Sequence, residues 1–126
     1  MRVAQLVKYG NNPSCFKLVD MEKPTPKPGE VLIKVKAFGL NYADVMARQG
    51  VYRDAPPLPA VLGYDVVGTV ESVSTGVTPN WIGRQVVAAT EFGGYAEFVV
   101  ASEFALVEVP IEMPLASAAA LATQYA

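Results

Sequence analysis

Ten prolines and ten glycines interrupt a chain of only 126 residues. Proline fixes φ and removes an amide donor, so it stays out of helix interiors and central strands, and glycine marks turns, bulges and close backbone approaches. A chain divided in this way folds as brief strands joined by irregular loops, the pattern of a small barrel or sandwich. The clearest strand is Val31-Leu32-Ile33-Lys34-Val35-Lys36-Ala37-Phe38, in which Lys34 and Lys36 share one face and Ile33, Val35 and Ala37 the other. Before it, Lys23-Pro24-Thr25-Pro26-Lys27-Pro28-Gly29 reads as an extended surface connection.

At this length a single domain buries about two thirds of its unfolded surface, which suffices for a core without covalent staples. The formal charge of -2 offers no basic patch for nucleic acid or an anionic membrane. Cys15 is the sole cysteine, which excludes an internal disulfide, fits a reducing cytoplasmic compartment and reads as a small packing residue. The alternating N-terminus is neither a signal peptide nor a spanning helix. Histidine is absent from the whole chain. Ser-His-Asp and Cys-His nucleophile systems therefore cannot be assembled within it, and zinc, which prefers imidazole and thiolate, lacks a ligand set.

Residues 2–9 and 15–21 read as a first hairpin around Gly10-Asn11-Asn12-Pro13. The strand at 31–38 runs into a short helical corner, Asn41-Tyr42-Ala43-Asp44 through Gly50-Val51-Tyr52. Asn41 suits the N-cap, Asp44 adds negative charge to the first turn, and Gly50 suits the C-terminal stop. The plain interpretation is a capped surface helix; the functional one is a corner that delivers Asn41, Tyr42 and Tyr52 to a shared cleft.

Arg53 to Ala60 is irregular, and Gly63-Tyr64-Asp65 leads into an apolar strand through Val73. Gly68 marks a bulge or a close backbone approach. This is not a phosphate-binding glycine fingerprint, because the spacing is wrong and no helical pattern follows. Asp65 is either a buried carboxylate with a shifted pKa or one satisfied by backbone amides at the turn. Further strands are expected at 84–89, in Gly93 to Val100 as a hairpin turn and strand, and at 104–109, with Trp81 as a core plug. From Leu115 to Ala126 the chain is alanine-rich and apolar on all sides, with Pro114 at helix N1, so it reads as a helix buried against another body or another copy.

Together these residues resemble the N-terminal GroES-like catalytic domain of the medium-chain dehydrogenase/reductase superfamily. The resemblance runs from the first hairpin, through Lys27-Pro28-Gly29-Glu30-Val31-Leu32, to the closing helix. Zinc alcohol dehydrogenases of that superfamily carry a cysteine and a Gly-His-Glu motif where this chain has Asn41 and Gly63-Tyr64-Asp65. The segment Asn41 to Tyr52 is instead similar to the zinc-independent quinone oxidoreductases, including zeta-crystallin, and especially to the vesicle amine transport protein branch, which also reads Met-Ala-Arg-Gln-Gly.

The resemblance implies a mainly β fold with short helices, a GroES-like, partly open β-barrel over residues 1–114. Residues 115–126 would then begin the helix leading to a Rossmann domain. It implies an NADPH-dependent, metal-free oxidoreductase acting on a quinone or enone, with Asn41 and Tyr52 as catalytic residues. Tyr42, Met46 and Tyr64 would border the substrate cleft, with Met46 replacing a tyrosine found in some quinone reductases. Asp44, Arg48, Gly63, Asp65 and Gly68 would be structural supports. It also implies that NADPH phosphates bind the Rossmann part, so this chain by itself would be inactive, and that the complete enzyme is a possible homodimer. A second reading, of a different class, is a stand-alone GroES-like binding or interaction module.

Overall fold

The computed structural model describes residues 1–10, 12–38, 48–50, 57–63, 65–90 and 93–118. These residues form eight strands: β1 (Arg2–Leu6), β2 (Phe16–Asp20), β3 (Glu30–Phe38), β4 (Ala60–Val61), β5 (Asp65–Val73), β6 (Gln85–Ala89), β7 (Phe98–Ser102) and β8 (Leu106–Glu108). All named pairings are antiparallel. They give a three-stranded sheet ordered β2-β1-β4 and a five-stranded sheet ordered β7-β3-β5-β6-β8. The expectation of a mainly β fold built from short strands is met.

Alternation in β5 and β6 explains why both strands read as apolar. Val66, Val70, Val86 and Ala88 point into a core shared with Val31, Ile33, Val99, Ala101 and Leu106. Val67 and Val87 point the other way and are covered by Val109 and Ala118. A sheet buried on both faces has no polar side to display. Each fully buried valine or isoleucine contributes about 1.5 to 3 kcal/mol relative to exposure. A second cluster, Leu6, Cys15, Ala60, Leu62 and Tyr95, fills the smaller sheet, and Cys15 is buried in it as a packing residue.

The ribbon Tyr95–Glu97 joins the sheets. The Ala4 amide donates to the Tyr95 carbonyl at 2.9 Å, Glu97 N–H donates to Arg2 O at 3.1 Å, and Val35 N–H donates to Glu97 O at 2.8 Å. One short ribbon thus bonds to β1 on one side and β3 on the other. The outer strands β7 and β8 do not pair with each other. Between the ends of β6 and β7 lies a cavity of about 600 Å³ whose wall includes Glu30, Ala89, Thr90, Ala101 and Ser102. The barrel is therefore partly open.

Three expectations need adjustment. Gly93–Gly94 does not turn a hairpin between neighbouring strands. Its amides bond to Val61 and Gly63, and β7, which begins only at Phe98, pairs with β3. The expected strand at 104–109 shortens to β8, because the Ser102 hydroxyl accepts from Phe104 N–H and caps a 3-10 turn that leaves Phe104 exposed. The first hairpin closes earlier than its alternation suggests. Leu6 pairs with Phe16, and the Gly10 amide donates to Arg48 O at 2.8 Å instead of joining the ladder.

Trp81 packs half-buried against the main core, at the end of a 3-10 turn capped by Thr78. After Pro114 the backbone is helical at 115–118, with Ala118 N–H donating to Pro114 O at 3.1 Å. Leu115 and its two successors are exposed and Ala118 is buried; residues 119–126 lie outside the described set. Among the described residues no helix is long and apolar enough to cross a membrane.

Candidate functional site

Strand register brings three chain ends to one edge of the five-stranded sheet. Phe38, the last residue of β3, pairs with Val66, and Asp65, the first residue of β5, pairs with Ala89 at the end of β6. The C-terminal ends of β3 and β6 therefore flank the N-terminal end of β5. In sequence, the segment from Asn41 to Tyr52 comes shortly after Phe38, Tyr64 precedes Asp65, and Thr90 follows Ala89. Connections leaving one end of a rigid sheet are where binding groups collect.

The described part of this rim is tightly built. Asp65 is fully buried, and Thr90 is buried with its hydroxyl donating to Gly63 O at 2.8 Å. Gly94 N–H donates to the same carbonyl at 3.2 Å, and Tyr95 N–H donates to Leu62 O at 2.9 Å. Gly63 has φ +110, where side chains are strained. A Cβ there would lie 2.8 Å from both the Gly94 Cα and the Tyr95 ring. Backbone lies directly against backbone, which only glycine permits. Tyr95 in turn stacks on Phe38, with ring centroids 4.6 Å apart at 34°.

The described part of segment 41–52, residues 48–50, is held by the first hairpin. Arg48 and Gln49 are helical, and Gly50 follows in a left-handed conformation at φ +79, the expected C-terminal stop. The Tyr9 ring packs on Gly50, where a Cβ would come within 2.9 Å of its Cγ. Together with the Gly10–Arg48 bond, this fastens the first hairpin's turn to the corner.

Of the residues named from sequence, Arg48, Gly63, Asp65 and Gly68 are among those described; Gly63 and Asp65 lie at this rim, and Gly68 lies further along β5. A Cβ at Gly68 would fall 2.2 Å from Lys34 O, so the expected close approach is real. Asn41, Tyr42, Asp44, Met46, Tyr52 and Tyr64 lie outside the described residues. Sequence reasoning missed Thr90, since a lone threonine after an apolar strand belongs to no motif. It also missed the Gly63–Gly94 contact, for which two widely separated glycines are the only signal. Among the described residues no group of three or more His, Cys, Asp or Glu side chains is placed to hold a metal ion.

Comparison with known proteins agrees with this architecture. The model of the alcohol dehydrogenase GroES-like domain matches residues 27–111. The chain is 36% identical over 124 residues to a synaptic vesicle membrane protein VAT-1 homolog of Danio rerio, covering 98% of this chain and 26% of that protein. It is 35% identical over 127 residues to the quinone oxidoreductase of Lama guanicoe, covering 99% of this chain and 38% of the relative. The quinone oxidoreductase of Thermus thermophilus, whose structure was also solved as a complex with NADPH, superposes with a TM-score of 0.78 at 34% identity. That match covers 95% of this chain and 36% of the Thermus chain. The chain thus spans well under half the length of the relatives it matches. It belongs to the alcohol dehydrogenase GroES-like domain family of the medium-chain dehydrogenase/reductase superfamily, among the quinone oxidoreductases and VAT-1 homologues.

Proposed function

We propose that this chain is the substrate-side domain of an NADPH-dependent, zinc-independent oxidoreductase that reduces quinones or enones. The observation that carries the reading is the rim itself, in a chain of this family. The ends of β3 and β6 flank the start of β5; in sequence Asn41 lies three residues after β3 and Tyr64 immediately before β5, and the chain has no histidine for a metal. Residues 1–114 form the domain, and 115–126 begin the helix leading to a cofactor-binding part. That division is supported by the helical start after Pro114 and by the fraction of its relatives that the chain spans.

NADPH, when bound, supplies a hydride to the quinone or alkene. Its phosphates need a glycine-rich turn opening a helix. Among the described residues no positive-φ glycine opens one. Asn41 and Tyr52 are the residues proposed to face the nicotinamide end of the cofactor, by their match to the quinone oxidoreductases. The Asn41 side-chain amide would donate to the oxygen on which negative charge develops or orient the nicotinamide carboxamide, and Tyr52 would donate a hydrogen bond or a proton. Such donors act most strongly in a water-poor cleft. Tyr42, Met46 and Tyr64 shape the substrate side of the cleft, while Asp44 and Arg48 brace the corner. A cytoplasmic location and a homodimeric complete enzyme belong to the same reading.

The test uses the complete protein, comparing Asn41→Ala and Tyr52→Phe with wild type on quinone and enone acceptors. Losing one preorganised donor lowers kcat by about a hundredfold. Wild-type turnover in both variants overturns the assignment.

A further inference from the structure

We propose that Thr90 is a positioning residue for the reductase cleft: its hydroxyl holds the Gly63 carbonyl and thereby fixes the peptide plane that carries the Tyr64 amide. The inference rests on the reading above, which places Tyr64 on the substrate side of the cleft.

The Gly63 carbonyl carbon is covalently bonded to the nitrogen of residue 64, so whatever holds that oxygen restrains the peptide unit between them. Two donors converge on it, the Thr90 hydroxyl at 2.8 Å and Gly94 N–H at 3.2 Å. The second is backbone and insensitive to side-chain identity; the first exists only with a hydroxyl at position 90. Rotation of the Gly63 peptide is further limited by the backbone of Gly94, which the Gly63 Cα faces with no room for a side chain. On the far side, Asp65 is locked by pairing with Ala89, the residue before Thr90. Gly63 and Asp65, the sequence neighbours of Tyr64, are therefore each tied to the segment that begins at Ala89. Thr90 is buried to all but 9% of its surface, at the wall of the cavity between β6 and β7.

Thr90→Val keeps the shape and removes the donor, whereas Thr90→Ser keeps the donor. In the complete reductase, Thr90→Val is expected to lower kcat for the quinone about tenfold, with KM for NADPH unchanged, and Thr90→Ser to stay within about twofold of wild type. In the 126-residue chain, amide exchange at Gly94 is expected to quicken in the Val variant and not in the Ser variant. Thr90→Ala carries the same expectation as Thr90→Val and replaces it if the added methyl blocks folding. Wild-type behaviour of the variants without a hydroxyl, or a Ser variant that falls as far as they do, overturns the proposal. A wild-type protein that turns over neither quinones nor enones removes the functional reading and, with it, the catalytic half of this proposal. The exchange rate at Gly94 then decides the hydroxyl's hold on Gly63 by itself.

Discussion

Gly68 and Gly76 are both glycines, for different reasons. Gly68 sits inside β5 opposite Val35, beside a register shift, and a Cβ there would enter the Lys34 carbonyl oxygen and the Ile33 methyl. Gly76 lies in an open turn at φ +87 with nothing within 4 Å. Gly68→Ala must push backbone apart in a strand packed on both faces, which costs about 3 kcal/mol, whereas Gly76→Ala costs only the left-handed strain of about 1 kcal/mol. Urea denaturation should separate the two, and equal costs would show that β3 yields at the bulge. The need for glycine at 68 was legible in the sequence, because an isolated glycine in an apolar run has few other uses. Thr90 was not, since its role depends on a carbonyl 27 positions away. The residues bearing chemistry at the corner were legible as types and spacings. Their placement lies outside the described residues, and only sequence neighbours such as Arg48, Gly50, Gly63 and Asp65 are seen.

Among elements, the ribbon Tyr95–Glu97 carries the most consequence for its length, because it supplies hydrogen bonds to both sheets. Glu97→Pro removes the amide that donates to Arg2 O and is expected to cost about 2 to 3 kcal/mol. Glu97→Ala keeps that amide and loses the side chain's bond to Arg2 N–H at an exposed site, so it should cost about 1 kcal/mol or less. Thermal unfolding of the pair tests this, and matching midpoints would mean that the ribbon does not join the sheets energetically. Sequence placed the strands themselves well, since period-two burial leaves a local record in Ile33, Val35 and Ala37. It misread the ribbon as half of a hairpin. A Gly-Gly pair announces a change of direction and says nothing about which distant strand the chain will meet. β7 finds β3 across more than half of the chain, from Lys34 with Phe98 at one end of the ladder to Glu30 with Ser102 at the other.

For the molecule as a whole, the partly open barrel presents one built rim, and the family to which it belongs supplies the reading of that rim. The chain spans 38% of a quinone oxidoreductase relative, and its described glycines offer no phosphate cradle. On the proposed reading, a cofactor-binding part beyond this domain holds the reductant, and the substrate-side donors, Asn41 and Tyr52, act without a metal. The most direct measurement follows NADPH oxidation by absorbance with a quinone acceptor, after exhaustive chelation, for the complete protein and for the 126-residue chain side by side. The account predicts undiminished turnover by the chelated complete protein and none by the shorter chain. Activity that disappears on chelation and returns with zinc, or turnover by the shorter chain alone, would contradict it.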